Sequence, residues 1–240
     1  LAEDNEINQM VAMATLQKLG YTADPVTNGK QAIHALEKTR YDVILMDCQM
    51  PEMDGYQATK KIRGQKSGVM DHKIPIIALT AHATKDDRDK CLKVGMDDYM
   101  AKPFQPQVLA DMLEKWLPQQ KTDYHEDKLS PRLDNEQSRE DVLDWAGFLD
   151  RVMDDENLAK KIFKTYLTET SKRIIKIHQS ISNGDSQITE KETHTLKSYS
   201  ANVGAVIVQD IAHKMEISAK NEDLKKADAF LPNLEKQLKI

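Results

Sequence analysis

The 240 residues carry a net charge of −5 with 30% charged and 40% hydrophobic positions. That balance supplies ordinary cores for one or two domains and argues against a nucleic-acid-binding surface as the main business. No apolar run approaches the roughly 18 residues that span a bilayer, no signal peptide is expected, and Cys48 and Cys91 lack metal-ligand spacing.

Residues 1–117 alternate short apolar runs with helical patterns, the mark of a βαβ architecture. Asn5 is placed to cap a first helix striped by Ile7, Val11, Ala14 and Leu19 and closed by Gly20. Tyr21–Val26 reads as a strand weakened by Pro25. A second helix follows Gly29, carried by Ala32, Ile33 and Leu36. Val43–Met46 is a short buried strand that stops at Asp47, with Pro51 and Gly55 beyond it. Tyr56–Arg63 is a helix, Ile74–Leu79 a strand, Asp86–Val94 a helix closed by Gly95, Tyr99–Ala101 a strand and Gln105–Leu117 a helix. Glu3 and Asp4 read as residues just past a further strand that is mostly missing, so the chain is read as a fragment with a truncated first strand.

Residues 118–144 hold eight acids and four bases among few large apolar residues, a polar linker. Residues 145–240 show no strand pattern. Phe148, Leu149 and Val152 open one helix, and a long one runs from Leu158 to Asn183-Gly184. Others are expected over 186–203, 205–220 and 222–239, the last interrupted by Pro232, giving an all-α antiparallel bundle.

Chemistry concentrates on two residues. In a parallel sheet, Glu3, Asp4, Asp47, Thr80 and Lys102 all fall at the same rim, where open α/β sheets bind ligands. Clustered carboxylates repel unless a hard cation takes their oxygens, and Mg²⁺ suits few carboxylates with waters and a phosphate. A carboxylate so placed is able to attack phosphorus, with the Thr80 hydroxyl and Lys102 ammonium binding the phosphoryl oxygens. Lys102-Pro103 is a candidate cis peptide. On the bundle, His194 lies on a helix whose buried face is expected to be Ile188, Thr195, Leu196, Tyr199 and Val203. His194 is expected to be exposed beside Lys197 and Ser198, as a nucleophile toward phosphorus. His34, His72, His82, His125, His178 and His213 are read as non-functional.

These motifs carry a resemblance. Glu3-Asp4-Asn5, Met46-Asp47 with Met50-Pro51-x-Met53-Asp54-Gly55, Leu79-Thr80-Ala81 and Asp97-Asp98-Tyr99-x-x-Lys102-Pro103-Phe104 resemble a response-regulator receiver domain. His194-x-Leu196-Lys197-x-x-x-x-x-x-Gly204 resembles a histidine-containing phosphotransfer (HPt) domain, with Ser198 where that family usually has glycine. The resemblance implies a flavodoxin-like α/β receiver with sheet order 2-1-3-4-5 over 1–117, an acidic linker over 118–144 and an HPt bundle over 145–240, as at the C-terminal end of a hybrid sensor histidine kinase. It implies Asp47 as phosphoacceptor. Mg²⁺ is held by Glu3, Asp4, Asp47 and the Gln49 carbonyl, and Thr80 and Tyr99 form the switch pair. The implied relay runs from a transmitter phosphohistidine to Asp47, then to His194 with Lys197 offsetting charge, then to a downstream response regulator. No ATP site, nucleic acid or membrane contact is expected, and the location is cytoplasmic, with any anchor upstream. The alternatives are a Mg²⁺-dependent phosphohydrolase, which would want a second carboxylate where Gln49 stands, and a non-catalytic binding module.

Overall fold

A computed structural model describes residues 1–64, 67–80, 85–117 and 143–238. Strands β1 (Ile44–Asp47), β2 (Ile76–Thr80) and β3 (Asp98–Ala101) form a parallel sheet in that order. Ala2 bridges in parallel to Met46 on one side and to Val26 on the other. Across the sheet the order is therefore Val26, Ala2, β1, β2, β3, which is the 2-1-3-4-5 pattern of a flavodoxin-like receiver. The expected strand over 21–26 is reduced to that single bridge: the Val26 amide reaches Leu1 O and its carbonyl takes the Glu3 N–H, both at 2.9 Å. Pro25 has no amide to extend the ladder.

Every residue of β1 and β2 is buried, as strands covered by helices on both faces must be. Alternation sends Ile44, Met46, Ile76 and Ala78 into one apolar cluster and Leu45, Ile77, Leu79 and Met100 into the other. Helices α1 (Glu6–Lys18), α2 (Gly29–Lys38), α3 (Gly55–Arg63), α4 (Lys85–Lys93) and α5 (Pro106–Trp116) complete this unit. The side chains of Asn5, Asn28 and Asp54 cap the first three by accepting the amide three residues on. The Cys48 and Cys91 thiols, both free, face each other at 3.8 Å in the interior.

One glycine holds the β1 end in place. A Cβ on Gly55 would lie 2.2 Å from the carbonyl oxygen of Asp47, and the Gly55 amide donates to Cys48 O at 3.2 Å. Backbone cannot retreat as a flexible side chain does, so Gly55→Ala is expected to cost about 3 kcal/mol. A lower urea midpoint with unchanged slope would record it.

The second unit consists of α6 (Trp145–Arg151), α7 (Glu156–Ser182), α8 (Ser186–Asn202), α9 (Val206–Lys220), α10 (Leu224–Asp228) and α11 (Leu231–Leu238). The last expected helix is two, and the break falls at Ala229-Phe230 rather than at Pro232. Pro232 is the second residue of α11, where a missing amide costs nothing. Of the expected linker, 118–142 lie outside the described residues. Leu143 packs against the bundle core, and Asp144 caps α6 through Gly147 N–H at 2.9 Å. The bundle core, with Phe148, Ile162, Tyr166, Leu196 and Met215, also takes in Ile7 and Val11 of α1. The receiver therefore rests its first helix on the bundle.

Candidate functional site: two phosphoryl-acceptor centres on one cleft

The rim of the sheet gathers the residues the sequence points to. Glu3 and Asp47 are buried, and Lys102, delivered by the turn after β3, lies between them. Its Nζ stands 2.7 Å from Asp47 Oδ2 and 3.0 Å from Glu3 Oε2. The Lys102-Pro103 peptide is cis. Gln49 donates its amide to Asp47 Oδ1 at 3.1 Å. Thr80, at the end of β2, is buried and lines the same cleft. Tyr99, half-buried on β3, packs at the edge of the apolar cluster, with the Arg88 guanidinium 6.0 Å from its ring centre.

One ammonium serves several acids here, and the electrostatics follow. Burial, with the nearby Asp47 charge, pushes the Glu3 carboxyl up to about 8 against the pull of Lys102. Asp4 is raised by burial and by Asp47. Lys102 is held above its ordinary value because the Glu3 and Asp47 charges outweigh the cost of its burial. A buried carboxyl beside a second carboxylate is one whose ionised form a bound cation would favour. Glu3, Asp4 and Asp47 each offer an oxygen within 4.8 Å of the others. An all-oxygen set with uncompensated negative charge fits a hard divalent cation such as Mg²⁺.

The second centre is built on α8. Its covered face is broader than an isolated amphipathic stripe, because α7, α9 and α1 all pack on it. Leu196, Tyr199 and Val203 are buried as expected, but Thr195 is half-buried and Ile188 is 48% exposed. His194 is half-buried rather than exposed, its side chain 28% accessible. The reason is Glu216 on α9, whose Oε1 lies 2.5 Å from His194 Nδ1 while its Oε2 lies 2.7 Å from Lys197 Nζ. Burial raises the Glu216 carboxyl, but the bonds from His194 and Lys197 prevail and hold it down at about 2. With Nδ1 engaged, Nε2 is the ring nitrogen left for chemistry. His213 lies 3.6 Å from Glu216 Oε2, on the rim of this centre.

The two centres share a cleft of about 1110 Å³, lined by Glu3, Asp4, Asp47 and Lys102 on one wall and by His194 and Glu216 on the other. Sequence reasoning missed three residues here: Glu216, Asn8 and Asn202. Glu216 flanks the apolar stripe Val208, Ile211, Ala212, Met215 and Ala219 of α9, an acid at the margin of a packing face. The asparagines are buried amides on α1 and α8 that meet across the two units. Among the described residues no helix is long and apolar enough to cross a membrane.

Comparison with known proteins finds a family match for each of the two units. Residues 1–114 match the response regulator receiver domain and residues 161–239 match the Hpt domain. The sensor protein EvgS of Escherichia coli (strain K12) is 28% identical over 225 residues, 94% of this chain and 17% of that protein. The sensor protein GacS of Pseudomonas syringae pv. syringae is 39% identical over 48% of this chain and 13% of its own length. The receiver domain of sensor histidine kinase PA1611 from Pseudomonas aeruginosa, described with a magnesium ion coordinated in its active-site cleft, is 50% identical. It covers 48% of this chain and 92% of that one, with a TM-score of 0.44. The chain spans less than a fifth of the length of the curated relatives named here. Residues 1–114 thus belong to the response regulator receiver family and residues 161–239 to the Hpt family.

Proposed function

We propose that Asp47 accepts a phosphoryl group from a transmitter phosphohistidine and passes it to His194, which donates it to a downstream response regulator. The observation that carries this reading is the shared cleft, with Asp47 on one wall and His194 on the other. In the first step an Asp47 carboxylate oxygen attacks phosphorus, an O–P bond forms and the donor's N–P bond breaks. In the second, His194 Nε2 attacks the same phosphorus, an N–P bond forms and the acyl phosphate O–P bond breaks, restoring the carboxylate. Lys102, already 2.7 Å from Asp47 Oδ2, meets the charge moving onto the phosphoryl oxygens. Glu216 holds Nδ1 and keeps Nε2 directed to the transfer, and Lys197 offsets charge beside it.

Glu3, Asp4 and Asp47, with the Gln49 carbonyl, would hold Mg²⁺. Bound there, the cation supplies the positive charge that lets three carboxyl groups remain ionised beside a phosphoryl group. Thr80 and Tyr99 serve as the switch pair that reports the phosphorylated state. The transmitter is assigned to the rest of a longer hybrid kinase, and the chain is assigned to the cytoplasm.

Label transfer tests the order. Asp47 should take label from the transmitter as a base-labile acyl phosphate, and His194 should then carry acid-labile label. Asp47→Asn is expected to abolish labelling of both residues, and His194→Gln to leave Asp47 labelled. Transmitter labelling of His194 in the Asp47→Asn chain would show that the relay order is wrong.

A further inference from the structure

We propose that Asn8, Ser198 and Asn202 form a reading triad that makes this chain's own receiver the matched phosphodonor of His194. The proposal rests on the reading that Asp47 loads His194, and it names the residues that choose the partner.

Asn8 sits one turn into α1, buried between the two units. Its side-chain amide is fully used. One Nδ2 hydrogen reaches Glu3 Oε1 at 2.9 Å and the other reaches Ser198 Oγ at 3.1 Å. Its Oδ1 accepts from Asn202 Nδ2 at 2.6 Å. An amide offers two donors and an acceptor on one planar group, and these three partners take all of them. Ser198 and Asn202 lie one and two turns beyond His194 on α8. They therefore read α1 at a fixed distance from the nucleophile. The serine is a positive feature at this position: glycine would have no hydroxyl to receive the Asn8 amide.

Apolar and backbone contacts set the register around the triad. Ile7 and Val11, flanking Asn8 on α1, join the bundle core. At the far end of the helix, Lys18 Nζ donates to Val152 O and Met153 O, both at 2.8 Å, and Thr15 Oγ1 reaches Arg151 O at 3.3 Å. Burying a polar group between two surfaces costs free energy unless its partner is present on the other side. A receiver with an apolar residue in place of Asn8 would take the shorter of two bonds from the Asn202 amide, leaving it only Ser198 O at 3.3 Å, and would remove the partner of the Ser198 hydroxyl, which is how a polar triad discriminates. The amide also touches Glu3, so the residue that reads the HPt helix is bonded to the carboxylate cluster that serves Asp47.

The test uses the full chain, loaded at Asp47 with acetyl phosphate and Mg²⁺, and follows label to His194. Ser198→Ala and Asn8→Ala are each expected to slow the Asp47-to-His194 step about tenfold, as loss of one partner of a buried hydrogen bond does. The double variant should be little slower than Asn8→Ala alone, because the two residues share one bond. Asp47 labelling itself should be unchanged in Ser198→Ala. Transfer in Ser198→Ala and Asn202→Ala at the wild-type rate, or strictly additive effects of Asn8→Ala and Ser198→Ala, would overturn the triad. A wild-type chain that labels Asp47 and never His194 would instead overturn the relay reading.

Discussion

Lys102→Met is expected to lower phosphorylation of Asp47 by about 10²–10³-fold, the usual loss when one preorganised charge donor is removed from a transfer site. The same change should destabilise the receiver. The Lys102 ammonium is the cation bonded to both Glu3 Oε2 and Asp47 Oδ2, and its side chain is only 11% exposed. Removing one member of a buried ion cluster strands the others, at a cost of about 3–5 kcal/mol. The pH dependence follows from Glu3, whose carboxyl is already raised to about 8 by burial and Asp47. A raised carboxyl keeps a proton in the folded state that the unfolded chain gives up, so stability falls as pH rises from about 4.5 towards 8. Without the ammonium that fall should steepen, and millimolar Mg²⁺ should restore much of it. Thermal scans of both chains across this window, with and without Mg²⁺, check the expectation. A Lys102→Met chain as stable at pH 8 as the wild type, and labelled at Asp47 at the same rate, would dismiss the assigned role of Lys102.

Why some of this was legible in the sequence and some was not has a physical answer. Asp47, Thr80 and Lys102 stand at the ends of short apolar runs. A parallel sheet brings strand ends to one rim whatever the helices between them do. The cap at Asn5 and the long α7 were legible because they depend on neighbours a few residues away. Glu216 was not, because the rotation of one antiparallel helix against another decides which of its residues faces His194, 22 residues distant. The same limit explains the half-burial of His194 and the exposure of Ile188. Both depend on what packs around α8, and part of that is α1, some 190 positions away in the chain. The strand at Tyr21–Val26 failed for a local reason, Pro25, which the sequence does display. The break before α11 is a case of proline read as a breaker where it occupies an early helical position.

The role of Glu216 yields the other large effect. Glu216→Gln preserves shape, yet it is expected to slow phosphorylation of His194 by about 100-fold or more. The carboxylate accepts from His194 Nδ1 with one oxygen and faces the Lys197 ammonium at 2.7 Å with the other. An amide has one oxygen and one NH₂. Its oxygen goes to the ammonium, since NH₂ against Lys197 would bring donor against donor. The NH₂ is then left facing Nδ1. In the neutral imidazole this favours the tautomer with hydrogen on Nε2, the nitrogen that must attack phosphorus. Nitrogen-15 shifts of the ring should show that exchange of tautomers directly. Stability should also change, with a definite sign. A carboxyl held at about 2 stabilises the fold above its unfolded value near 4.5, and that support is lost as pH falls through the interval between them. The glutamine chain has no such titration, so its stability should lack this component of the acid limb. If His194 in Glu216→Gln kept its Nδ1–H tautomer and took label at the wild-type rate, Glu216 would be a structural anchor for Lys197 and not the residue that sets the nucleophile.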